Sequence, residues 1–215
     1  MNTQTGVPIL NAIHKYNSDD VMQFCTPGHK MGHGMHDALR QIIGNEALSL
    51  DLGLMHELDD LHEPQGCIAE AQNLAAEAYS ASGSKFVING TTSAIQAMIM
   101  ATVRDGEKII IPRNAHRSII GGIILAGAIP VYMQPIIDYD LGIAMGITRH
   151  EVEEAICKHP DAKGILIVNP TYYGVTSDLK EIAETVHRND MILLVDEAHG
   201  PHLTFHEELP ISAIT

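Results

Sequence analysis

Two carboxylates and an imidazole follow directly on an apolar run. Met191-Ile192-Leu193-Leu194-Val195 leads into Asp196, Glu197, Ala198, His199 and Gly200. A run of this length reads as a strand buried on both faces of a parallel sheet. Open α/β sheets take their ligands outside the carboxyl ends of the strands. Asp196 therefore stands where a buried sheet meets a ligand crevice. An ionised carboxylate is costly there unless it meets a cation or several donors. A protonated ring nitrogen of a bound heteroaromatic would be such a cation. The plain alternative is that Asp196 caps the following turn.

Three other strand ends carry groups of complementary chemistry. Asn89-Gly90-Thr91-Thr92-Ser93 offers close backbone approach at Gly90 and three hydroxyls, with a helix N-terminus directly behind. That suits a phosphate by geometry and dipole. Neither GxxxxGK[ST] nor GxGxxG is present, and an ordinary helix N-cap accounts for the same residues. His116, in the break after Ile109-Ile110-Ile111, offers a flat ring, or is a solvated loop histidine. Thr171, in the break after Ile165-Leu166-Ile167-Val168, offers a hydroxyl, or belongs to a turn. Together they make a phosphate cradle, a ring that could stack, a hydroxyl and a buried acid on one sheet. A flat, phosphorylated, cationic heteroaromatic would use all four.

The elements that must position these residues are legible as alternating periodicities. Helices are expected over 7–17, with Pro8 in a tolerated first-turn position, over 35–45 and over 67–81. Residues 24–34 and 50–66 read as loops. From residue 84 strands and helices alternate: strand 85–88, helix 94–103, strand 109–111, helix 119–126, strand 129–133. Thr148 and Glu151 fit a capping box that opens a helix to Lys158. Strand 165–168, a helix capped by Ser177 and running to Arg188, and strand 191–195 complete the series. This predicts an α/β fold, a mostly parallel sheet with helices on both faces. The division expected is 1–65, a segment of helices and interface loops, and 66–215, an incomplete large domain.

Hydrophobic residues make up 45% of the 215, and no stretch is apolar and long enough to span a bilayer. The N-terminus lacks the basic start and apolar core of a signal peptide, so the expected location is cytoplasmic. A formal net charge of −14 argues against nucleic acid as a partner; it would steer cationic substrates, or is simply the solubility feature of an acidic enzyme. Cys25, Cys67 and Cys157 are odd in number and far apart, which is neither a disulfide framework nor a CxxC metal site. The thirteen histidines include two close groups, His29, His33, His36 and His199, His202, His206. Helical spacing would let either group hold zinc beside Asp196 or Glu197. The glycines and proline among them disfavour helix, and no metal is expected.

The chain resembles the Orn/Lys/Arg decarboxylases of the fold-type I pyridoxal phosphate enzymes. The matching motifs are PGHKMG (27–32), LDDLHEPQGCIAEAQ (58–72), NGTTS (89–93), PRNAHRS (112–118), NPTYYG (169–174) and DEAHGPHLTFH (196–206). They run through nearly the whole chain. The resemblance implies the large domain of that fold and pyridoxal 5′-phosphate as cofactor. It implies that Thr91 and Thr92 hold the phosphate, that His116 stacks on the ring, and that Asp196 pairs with the ring nitrogen. Ala198 would pack on the ring face, with His199 and Thr171 near its hydroxyl or the substrate; Asp196 and His199 are the expected catalytic residues. The reaction implied is decarboxylation of lysine, arginine or ornithine, for polyamine or acid-stress metabolism, in a homodimer or larger assembly.

One departure accompanies the resemblance. The family anchors its cofactor on a lysine whose homologous place falls beyond Thr215, and no lysine follows Asp196; the last is Lys180. Lys30 is a poor substitute. The chain is therefore expected to be a piece of a longer enzyme, inactive alone and exposing apolar surface. A short paralogue that binds without catalysis, or another fold-type I enzyme such as an aminotransferase, are the alternatives.

Overall fold

The computed structural model describes residues 3–19 and 21–214. The chain divides into two compact units, Met1–Phe86 and Val87–Thr215. The division drawn from the sequence, at 65/66, falls just before a helix that packs within the first unit.

In the first unit, α1 (Pro8–Ser18) begins on Pro8 and packs against α4 (Cys67–Ala78). Between them lie α2 (Asp37–Ile43) and α3 (Asn45–Ser49). The 27–34 segment is turns, as its glycines require, and 50–66 is irregular apart from one 3-10 turn, His56–Leu58. Asp59 organises that stretch. Its carboxylate accepts the backbone N–H groups of Asp60, Gln65, Gly66, Ile68 and Ala69 at 2.8–3.3 Å, closing the N-terminus of α4.

The second unit runs α5 (Gly90–Thr102), β1 (Lys108–Pro112), α6 (Arg117–Ala126), β2 (Ile129–Met133), β3 (Ile137–Asp138), β4 (Ile143–Ala144), α7 (Arg149–Lys158), β5 (Gly164–Val168), α8 (Leu179–Arg188), β6 (Ile192–Asp196). Among the described residues the main sheet has four strands, all parallel, in the order β2-β1-β5-β6; β3 and β4 form a small antiparallel pair. The expected α/β class stands. Side chains alternate across a strand, and the two cores show it. Ile110, Ile165 and Ile167 point to α7 and α8, where they meet Val152, Ile156, Ile182 and Val186. Ile109, Ile111 and Leu166 point the other way, to Ile95 and Ile99 of α5 and Ile119 and Ile123 of α6. Gly122 lets α5 and α6 approach: a Cβ there would lie 2.8 Å from Ile99 Cδ1.

Four expectations need correction. Lys85–Ile88 is not a strand. It joins no ladder among the described residues, and Ile88 is 85% exposed. An apolar run becomes a strand only where a neighbour satisfies its backbone. The helix expected from Ala94 starts at Gly90, so the Thr91–Ser93 hydroxyls lie inside its first turn. Helix α8 is capped by Asp178, whose side chain accepts the Glu181 N–H at 3.1 Å. Ser177 instead accepts the Ile147 N–H. Finally, β6 lies at the sheet edge and is not buried on both faces: Ile192 is 50% exposed. The capping box at α7 forms as expected, with Glu151 accepting the Thr148 N–H at 2.9 Å.

Candidate functional site

A cavity of about 370 Å³ opens at the carboxyl ends of β1, β5 and β6 and at the N-terminus of α5. Every lining residue belongs to the second unit. Each candidate from the sequence lies on its wall: Thr91, Thr92, His116, Thr171, Asp196, Ala198 and His199. The parallel topology causes this, since every strand delivers its carboxyl end to the same rim.

Thr91 and Thr92 stand in the exposed first turn of α5. The first N–H groups of a helix have no intrahelical acceptor, and the Asn89 side chain does not cap this one. Gly90 sits at φ +65, and a Cβ there would touch nothing within 4 Å. Conformation rather than crowding requires glycine here. Ser93 turns its hydroxyl back to the Gly90 carbonyl at 3.1 Å and leaves the cavity to the threonines.

His116 is the N-cap of α6. Its Nδ1 accepts the Ser118 N–H at 3.2 Å and lies 2.8 Å from Ser118 Oγ. A nitrogen that accepts carries no hydrogen, so this bond assigns the proton of the neutral ring to Nε2. Thr171 is buried. Its N–H donates to the Val175 carbonyl at 2.8 Å, and its Oγ1 accepts the Val175 N–H at 3.2 Å. The turn reading is therefore correct for Thr171, yet the hydroxyl hydrogen remains to be donated into the cavity.

Asp196 is 5% exposed. Its carbonyl accepts the Asn169 N–H at 3.0 Å, and its Oδ1 accepts the Ala198 N–H at 3.2 Å. It caps its turn, then, with one oxygen. Among the described residues its carboxylate meets no cation, and it lies on the wall of the open space. The neighbouring Glu197 is directed elsewhere, accepting from Ser212 Oγ at 2.8 Å and Ala213 N–H at 3.1 Å.

Sequence reasoning did not single out Asn114, Ser118, Ala144, Tyr172 and Tyr173 as site residues, though all line the cavity. Tyr172 and Tyr173 lay in a motif read as a strand break and as part of the family resemblance, with a site role given only to Thr171. Ala144 comes from β4, too short to show in the pattern.

No group of three or more His, Cys, Asp or Glu side chains that could hold a metal converges among the described residues. Four histidines instead accept backbone N–H groups through Nδ1: His29 from Gly32, His36 from Ala38, His116 from Ser118 and His206 from Glu208. His29 also meets Asp51 at 3.0 Å through Nε2.

A family model described as Orn/Lys/Arg decarboxylase, major domain, matches residues 7–215. The arginine decarboxylase of Bacillus subtilis (strain 168) is 50% identical over 212 residues, covering 99% of this chain and 43% of that protein. The lysine decarboxylase LdcA of Pseudomonas aeruginosa is 30% identical, over 93% of this chain and 29% of its own length. The solved lysine decarboxylase LdcF of Francisella novicida superposes with a TM-score of 0.83 at 27% identity, over 93% of this chain and 30% of its own. The chain thus spans less than half the length of these relatives.

Proposed function

The chain belongs to the Orn/Lys/Arg decarboxylase family, and from that membership we propose that its cavity holds pyridoxal 5′-phosphate and that the whole protein decarboxylates a basic amino acid to its amine. The observation that carries this reading is Asp196, a buried carboxylate that meets no cation among the described residues, on the wall of a cavity that also takes in a helix N-terminus.

The residues present fit the cofactor. Thr91, Thr92 and the free N–H groups of α5 would take the phosphate. The His116 ring, fixed by Ser118, would lie against the flat heterocycle. The Ala198 methyl is small enough to pack on the other face. The Thr171 hydroxyl has a hydrogen to give to the ring oxygen. When bound, the cofactor supplies an electron sink for the pair released as carbon dioxide leaves. Asp196 keeps a proton on the ring nitrogen, because a nearby carboxylate favours the charged form. His199, exposed at the rim, is placed to move a proton at the substrate.

The ligand on this reading is arginine, lysine or ornithine, in keeping with the −14 charge. The protein works in the cytoplasm, without nucleic acid or membrane, in polyamine or acid-stress metabolism. It self-associates as a homodimer or larger. The outer face of α5 and α6 supports this last point: Met100, Ile124 and Leu125 are 52%, 74% and 60% exposed. The outer face of α7 is by contrast charged, with Arg149–Glu153 and Lys158–Glu154 pairs.

Asp196→Ala in the complete enzyme tests the proposal. Decarboxylation is expected to fall by orders of magnitude with the fold intact by circular dichroism. Turnover near that of the unaltered enzyme would refute it.

A further inference from the structure

Three aromatic rings line the cavity in contact with one another, and the two tyrosines have no part in the cofactor site proposed above. Tyr172 and Tyr173 have ring centroids 5.7 Å apart with planes at 88°. Tyr172 and His199 have centroids 5.7 Å apart with planes at 90°. Successive rings at right angles form walls rather than a stack. All three line the cavity, yet Tyr172 is 81% and Tyr173 57% exposed.

The loop that carries the tyrosines is held on itself. Thr171 and Val175 exchange the two hydrogen bonds given above, and the Gly174 N–H donates to the Thr171 carbonyl at 2.9 Å. Gly174 takes φ +79, the left-handed conformation that closes the turn. The rings are thus displayed by a tight turn rather than buried by it.

The edge-to-face contacts hold the rings in place, and the faces that stay exposed attract cations through their negative potential. The surroundings agree. Among the described residues no Lys or Arg lines this cavity. The acid in it, Asp196, is at the deep end, and the tyrosines are at the open end. A basic amino acid has two cationic ends, one that reacts and one that does not. We propose that Tyr172 and Tyr173 form the subsite for the distal cation of the substrate, the guanidinium or ammonium at the end of its side chain. This rests on the decarboxylase reading and names the part of the site that distinguishes a basic substrate from a neutral one.

The test uses the chain with 13C-labelled tyrosine rings, titrated with arginine and with citrulline, which keeps arginine's shape and lacks the charge on its side chain. Arginine is expected to shift the ring signals of Tyr172 and Tyr173, assigned by Tyr172→Phe and Tyr173→Phe, and citrulline to bind more weakly. Tyr173→Leu keeps apolar bulk and removes the π face. It is expected to weaken arginine about 3- to 10-fold, the range of a partly exposed cation–π contact, and citrulline by less. Equal binding of arginine and citrulline, or an arginine affinity indifferent to Tyr173→Leu, overturns the subsite. Pyridoxal phosphate binding, read by its own absorbance in the same samples, reports separately on the cofactor reading. A protein that fails to bind it yet separates arginine from citrulline at the tyrosines refutes that reading and upholds the subsite.

Discussion

Asp59 shows how much one side chain can organise. Five backbone N–H groups converge on its carboxylate. They hold its pKa well below the usual carboxylate range, the Gln65 N–H contributing most, followed by those of Asp60, Gly66 and Ala69 against the opposing effect of desolvation. A carboxyl whose folded pKa is depressed stabilises the fold above its unfolded pKa, about 3.9, and loses that contribution as pH falls toward the folded value. Asp59→Ala is therefore expected to lower the thermal midpoint at pH 7 and to differ less from the unaltered chain near pH 3. Melts at the two pH values check the sign. The cavity residues illustrate a different kind of legibility. Asp196, His116 and Thr171 could be marked from the sequence because each follows an apolar run. Their hydrogen bonds could not: that His116 fixes its ring through Ser118 depends on the local backbone. The use of histidine Nδ1 as a backbone acceptor, which accounts for part of the histidine excess, leaves no spacing rule that marks it in advance.

Among the elements, the central strands were the most readable. Ile109–Ile111 and Ile165–Ile167 are wholly buried, so both of their faces had to be apolar. The same rule misled at the margins. Lys85–Ile88 has the composition of a strand and lacks a partner, and β6 has a partner on one side only. Composition reports that a segment can be buried, while pairing depends on what lies beside it. Energetics should follow position. Leu166→Ala in β5 is expected to cost roughly 2–5 kcal/mol, as for truncation of a fully buried leucine. Ile192→Ala in β6 should cost about 1 kcal/mol or less, because half of that side chain already meets water. Urea unfolding of the two variants compares them directly.

For the molecule as a whole, charge and apolar surface pull in opposite directions. A net charge of −14 keeps copies apart, whereas the α5–α6 face, with Ile124 and Leu125 exposed, draws them together. On the self-association proposed above, sedimentation should depend on concentration and shift toward monomer when Ile124 and Leu125 are both replaced by Lys. An unaltered chain that sediments as a monomer at every concentration would contradict it. The α/β class was legible at this scale because alternating periods dictate layers. The place where the first unit ends was not, because the packing of α4 on α1 joins segments distant in sequence.

The rung between Asn169 and Asp196 has a consequence for size. The Asn169 N–H meets the Asp196 carbonyl at 3.0 Å, so the root of the tyrosine turn and the acid share one attachment. They behave as the two jaws of a caliper on a common pivot. The gap between them, and with it the room left for a cofactor on the acid and a substrate chain reaching the tyrosines, is set by strand register. A slip of one residue there would turn Asp196 to the opposite face and leave the gauge with a single jaw.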